Sequence, residues 1–322
     1  MTSYGLTLPQ RGVNFGATTL DQLLGLAGRA DAGGQFDSVW VGDNLLLRPR
    51  PDSLTLLGAL AGATRNVRLG VGCMASFTLR DPLVFAYQWA TLDVISQGRM
   101  ELAACTGFTP GGASAQEGAV FGIPDRDRPA RLEEHIDICR RLWAGETISV
   151  QSPFNSYEGA QLEVRPVQQP CPVWVAANPS RKTFERSIDR VARIADGLMT
   201  NSVVPGTLER VKAQLSPALE RHGKDPGSFP LALYHNVVVA DTREQALDEA
   251  HRYLVDYVGP SFTREMATAW TAAGTPEDCA ADLMELADLG AGVITLRIVS
   301  YDQEGQYERL AGEVMPLLGR PA

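Results

Sequence analysis

Several short stretches of this 322-residue chain carry side chains suited to holding an anion, lying against a flat ligand or orienting a reacting group. Ala177-Asn178-Pro179-Ser180-Arg181-Lys182 joins small polar residues and two cations to the start of an amphipathic run. Amide N–H groups at a helix start, with cations beside them, suit a phosphate. The bland reading is helix capping by Asn178 or Ser180 next to two solvated bases. Gly72, Cys73, Met74, Ala75 and Ser76 follow a β-branched run and suit either close approach to a ligand or simple packing of a rim. Cys105-Thr106-Gly107 and Thr200-Asn201 close two further runs, and a buried cysteine is most often just a small apolar side chain. Asp43-Asn44 pairs a carboxylate with an amide. Asn44 donates and accepts hydrogen bonds but exchanges no proton near neutral pH. Asp43 reads as a group orienting a ligand or, alternatively, as a helix cap or ion-pair partner.

Other chemistries find little material. The five cysteines are scattered with no CxxC pair, and the four histidines show neither HExxH nor HxH spacing, so no metal site is expected. His135 shares a helical face with Leu132 and Cys139 and reads as packed; His222 and His251 read as solvated; His235 falls within a strand, where burial is expected. A net charge of −9 argues against a broad nucleic-acid surface while allowing a local basic pocket. The first residues lack the pattern of a secretory leader, and no apolar run reaches membrane-spanning length. A soluble, cytoplasmic protein with no membrane partner is the expectation.

The elements that position these residues alternate. Short apolar runs at 4–9, 38–42, 67–73, 100–105, 173–176, 197–200, 231–239 and 292–299 read as strands buried on both faces. Amphipathic stretches between them read as helices, with Ser53, Thr242 and Thr275 as N-caps and Pro276 at the first helical position. Eight strand-helix units predict an α/β fold, a closed (β/α)8 TIM barrel occupying 1–322 as one domain. An open doubly wound sheet is the alternative, but Leu8-Pro9-Gln10-Arg11-Gly12 stands where its Gly-x-Gly-x-x-Gly turn belongs. Residues 145–169 read as an inserted hairpin before the fifth strand. The Gly/Pro-rich stretch 107–128 and the stretch 258–274 read as irregular connections suited to be lids. In such a barrel the reaction takes place at the carboxyl ends of the strands, where all the residues above fall.

Six stretches together resemble the bacterial luciferase-like family of oxidoreductases. They are FDSVWVGDN (36–44), RLGVGCMASFTLRDP (68–82), ATLDVISQGRMELAACTG (90–107), PDRDRPARLEEHIDICRRLW (124–143), VWVAANPSRKTFERSIDRVARIADG (173–197) and AGTPEDC (273–279). The resemblance implies a barrel with an insertion and a reduced flavin-type cofactor, FMN or F420, across the strand ends. It implies a cis, non-proline peptide after the third strand, a phosphate held near Asn178, Ser180, Arg181 and Lys182, and a homodimer through helices of the second and third units. Many relatives carry histidine where Asn44 stands and arginine where Thr106 stands, so proton transfer at 44 is in doubt and phosphate binding falls to Arg181 and Lys182.

The leading reading is an enzyme acting on a small organic substrate. F420H2 would deliver a hydride directly, or FMNH2 would oxygenate with O2, supplied by a separate reductase. The absence of a diagnostic histidine leans the reading slightly to F420. A catalytically silent flavin-binding barrel is the alternative, favoured by Asn44.

Overall fold

A computed structural model describes residues 2–46, 48–107, 113–179 and 183–321, with the side chains of 113–115 outside that description. Eight parallel strands close on themselves: β1 (Ser3–Thr7), β2 (Ser38–Val41), β3 (Arg68–Met74), β4 (Met100–Ala104), β7 (Val173–Ala176), β8 (Gly197–Asn201), β9 (Leu231–Val239) and β11 (Val293–Ile298), which pairs back onto β1. Helices α1 (Leu20–Gly33), α2 (Ser53–Ala63), α3 (Pro82–Ser96), α5 (Arg128–Trp143), α6 (Phe184–Ile194), α7 (Thr207–Arg221), α8 (Arg243–Val258), α10 (Pro276–Asp288) and α11 (Gln303–Arg309) cover the outside. This is the (β/α)8 barrel that the alternation predicts.

The strands stay in a ring because their inward side chains fit one another. Trp40 on β2 fills the floor, buried against Met199, Ala103 and Ala232, with its Nε1–H donating to Ser38 Oγ at 2.8 Å. Glycines on the neighbouring strands make the space: a Cβ on Gly70 would sit 2.2 Å from the Trp40 ring, and one on Gly5 would sit 2.8 Å from its Nε1. Close-packed interiors do not tolerate such overlaps.

Local chemistry sets the helix ends. Thr242 and Thr275 cap α8 and α10 through their hydroxyls, and Pro276 opens α10, as read from the sequence. At α2 the cap is Asp52, whose carboxylate accepts from Thr55 N–H at 2.9 Å, and not Ser53. Ser53 is the first helical residue and turns its hydroxyl to Asp43 instead.

Residues 145–169 do hold a hairpin, β5 (Ile148–Gln151) against antiparallel β6 (Ser156–Ala160). Where composition predicts an irregular 107–128, the structure has α4 (Ala113–Val120) and a 3-10 turn at Asp125–Asp127. Ala, Gln and Glu are good helix formers and outweigh the flanking glycines. Where 258–274 reads as irregular, Thr263 caps a short α9 (Arg264–Ala269), and β10 (Thr271–Gly274) extends the sheet beside the second half of β9. Among the described residues no helix is long and apolar enough to cross a membrane.

Candidate active site

At the carboxyl ends of β3, β4, β7 and β8, with Tyr234 of β9 beside them, lies a cavity of ≈390 Å³. Cys73, Cys105, Thr106, Gly107, Ala177, Asn178, Thr200 and Asn201 all line it, although they come from four separate stretches of sequence. Ser180, Arg181 and Lys182 lie outside the described residues.

One wall is the junction of β3 and β4. The strand pairing shifts between Gly72 and Met74, and the Gly72–Cys73 peptide bond is cis. Cys73 Sγ donates to Cys105 Sγ at 2.9 Å, so two adjacent strand ends touch through their thiols. Gly107, at φ +62°, lets the chain pass the preceding wall: a Cβ there would meet Ala75 O at 2.0 Å. Arg128, fully buried on α5, donates through Nη1 to the carbonyls of Thr106 (3.2 Å) and Gly107 (3.3 Å). Met74, Ala75 and Ser76 are buried behind this wall rather than lining the cavity.

Asp43 supports the wall from below. It is 4% exposed; Oδ1 accepts from Ser53 Oγ at 2.6 Å, and Oδ2 accepts from Ser76 N–H at 2.7 Å. Both oxygens are therefore occupied by the protein. Asn44 is half-buried, and its Oδ1 accepts from Arg50 Nη2 at 3.2 Å. Neither residue lines the cavity.

The opposite wall is polar. Asn178 Nδ2 donates to Asn201 Oδ1 at 2.8 Å, joining the ends of β7 and β8. Thr183, at the N-terminus of α6, makes no side-chain cap, and Arg186, Ser187 and Arg190 from the next turns also face the cavity. Arg190 is held by Glu133 at 2.8 Å, whereas Arg186 is exposed with no carboxylate in ion-pair range among the described residues. Arg126, Arg186, Arg190, Met199 and Tyr234 escape a reading confined to strand ends. On α6 the arginines sit in an amphipathic pattern like that of any surface helix, and no sequence signal singles them out.

Of the histidines, His135 is packed under Phe77, 3.2 Å from its carbonyl, and burial lowers it to about 4. His235 is buried with Nδ1 2.7 Å from Ser202 Oγ, and burial lowers it to about 3. His251 is half-buried rather than solvated, because Nε2 meets the Phe262 carbonyl at 3.1 Å. His222 sits 3.2 Å from Asp189. Among the described residues no histidine lines the ≈390 Å³ cavity.

A closed barrel with its cavity at the strand ends defines a class of enzyme rather than one enzyme. The family model of the luciferase-like monooxygenases matches residues 1–292, and the chain belongs to that family. It is an oxidoreductase of the class that works with reduced flavin or F420. A curated relative, the F420-dependent glucose-6-phosphate dehydrogenase of Beutenbergia cavernae, is 27% identical over 314 residues, covering 88% of this chain and 89% of the relative. Among solved structures, an F420-dependent secondary alcohol dehydrogenase in complex with an F420-acetone adduct superposes with a TM-score of 0.82 at 19% identity, covering 98% of this chain and 99% of that one. The oxygenating constituent of 3,6-diketocamphane monooxygenase from Pseudomonas putida, in complex with FMN, superposes with a TM-score of 0.75 at 17% identity, covering 98% of each chain. At these identities the superpositions speak for the fold.

Proposed function

We propose that the ≈390 Å³ cavity is the cofactor site, with the ring portion toward Cys73, Cys105, Thr106 and Gly107 and the anionic tail toward Asn178 and the start of α6. One observation carries this reading: a single cavity joins a wall of small side chains to a helix start where Thr183 makes no side-chain cap and arginines stand alongside. That donor set fits a phosphate-bearing planar cofactor.

F420 is the favoured of the two cofactors, because the curated relative above, aligned over 88% of this chain, is F420-dependent. When bound, such a cofactor supplies the two electrons of the reaction. The chain's own residues do the rest. Asn178, Thr200 and Asn201 orient the cofactor by hydrogen bonds, Arg186 neutralises its tail, and the buried Asp43 keeps the Ser76 turn in place beneath it. Met74, Ala75 and Ser76 act from behind the wall. Ser180, Arg181 and Lys182 add tail contacts as the sequence suggests. Asn44, outside the cavity lining and bonded to Arg50, moves no proton. The silent-barrel alternative gains nothing from a cavity built in this way.

The test is a fluorescence titration of the full chain with F420 and with FMN, followed by F420H2-linked turnover under nitrogen and FMNH2-linked turnover in air. F420 binding at micromolar levels and oxygen-independent reduction of a small carbonyl compound are expected. Arg186→Ala should weaken the preferred cofactor roughly three- to tenfold, the loss of one charge-assisted contact at a half-open site. Binding of neither cofactor would remove the reading.

A homodimer is part of the same proposal. Val84, Tyr87, Val94 and Ile95 of α3 are exposed large apolar side chains at helical spacing, a face of the third unit that asks for a cover. A soluble cytoplasmic setting and a reductase feeding the FMN branch complete the reading.

A further inference from the structure

We propose that Arg11, Arg48, Arg50 and Arg297 form an oxyanion subsite that takes the carboxylate or phosphate of the substrate, on the arc of the rim facing the tail-binding pole. The proposal rests on the cofactor reading above, since it places the substrate by where the cofactor tail is not.

All four lie at the carboxyl face. Arg11 is in the 3-10 turn after β1, Arg48 and Arg50 follow β2, and Arg297 is the penultimate residue of β11. Strands β11, β1 and β2 are consecutive in the ring and stand across it from β4, β7 and β8, which carry the cofactor tail pole. Tyr234 connects the two regions: it lines the cavity, and the Arg297 guanidinium stands 5.1 Å from its ring.

Arg297 is 2% exposed and caged by aromatic faces, 4.1 Å from Tyr257 and 5.0 Å from Trp270. Its Nε donates to Asn236 Oδ1 at 3.1 Å, but its buried Nη2 has no acceptor. Arg11 lies 6.0 Å from the same Tyr257 ring, and its buried Nη1 also lacks an acceptor. Arg50 uses Nη2 on Asn44. Among the described residues no carboxylate comes within ion-pair distance of any of the four, although most other arginines on this acidic chain have one.

Such a cluster is uncomfortable alone. A buried guanidinium without an acid is costly, and aromatic cages offset only part of that cost. The charges also oppose one another: burial, then Arg50 and Arg48, lower the basicity of Arg11. Two buried donors with nothing to donate to, within a cluster of cations at the carboxyl face, are what a bidentate oxyanion would complete.

The test is calorimetric titration of the full chain with inorganic phosphate and, in a second arm, with malonate, at fixed ionic strength in chloride, with and without saturating F420 or FMN. At least one anion should bind, bind also with cofactor present, and lose roughly tenfold or more in affinity in each of R11Q and R50Q. The arm that binds tighter assigns phosphate or carboxylate. Circular dichroism melts verify that each variant is folded, and if one is not, the other decides. No binding of either anion, binding unchanged in the folded variants, or displacement of the anion by cofactor would overturn the proposal. If the anion binds through Arg11 and Arg50 while neither cofactor binds, the subsite stands and the cofactor reading falls.

Discussion

Asp43 Oδ2 accepts the backbone N–H of Ser76 at 2.7 Å, which ties the end of the second barrel strand to the turn that leaves the third. The same carboxylate accepts from Ser53 Oγ at 2.6 Å, and Arg80 Nη2 stands 3.7 Å from it. A single buried acid thus holds the underside of the proposed cofactor wall.

Replacing that acid separates its geometry from its charge. In Asp43→Asn the amide oxygen can still accept from Ser76 while its NH2 donates to Ser53 Oγ, so the loss should be about 1 kcal/mol. In Asp43→Ala the Ser76 N–H is left buried and unpaired, and the loss should reach about 2–4 kcal/mol. Urea denaturation of both variants measures the difference, and equal losses would show that Asp43 acts by charge alone.

The thiols should divide into two classes. Cys73 is partly exposed on the cavity wall, whereas Cys139 and Cys279 are fully buried and Cys171 is nearly so. Burial pushes Cys171 and Cys279 up to about 12, and pushes Cys139 up as well. Iodoacetamide should therefore modify Cys73 first and leave those three untouched until unfolding, and bound cofactor should slow the first reaction. Mass spectrometry of tryptic peptides reads both outcomes.

Stability should fall on the acid side. Burial lowers His135 to about 4 and His235 to about 3 in the folded chain, while in the unfolded chain both titrate near the ordinary value of about 6.5. The unfolded state therefore binds more protons in this window, and their contribution, complete above about pH 6.5, is lost as pH falls toward 4. Each histidine contributes a slope of about 1.4 kcal/mol per pH unit at most. His135→Gln should remove about half of that slope in melts recorded from pH 7 to pH 4.

The apolar face of α3 makes a prediction about assembly. Val84→Glu with Ile95→Glu places two charges on side chains that are about half exposed in the single chain. Sedimentation should then show a monomer, against the dimer proposed for the parent chain. A parent chain that sediments as a monomer would remove the homodimer from the proposal.

The ring of strands was legible because the buried strands are compact, mostly apolar runs, as in Leu231–Val239, and two of the helix starts carry readable caps, Thr242 and Thr275. The short β10 was not, since four small residues, Thr-Ala-Ala-Gly, become a strand only because β9 runs on past the end of β8. At the proposed site, the strand-end residues announce themselves by position. Arg186 and Arg190 do not, because on α6 they resemble any solvated helix face. Arg11 is visible as a strand-end residue, but its grouping with Arg48, Arg50 and Arg297 is invisible, since ring closure alone brings position 297 beside position 11.

The indole of Trp40 has a consequence for how this barrel can change. Because Gly5 and Gly70 are bare where that ring lies, the three positions are geometrically locked: enlarging either glycine demands a smaller residue at 40 in the same step. Variants selected for a deeper chamber should accordingly arise through paired exchanges at 40 and 70, with single changes at 70 lost to misfolding.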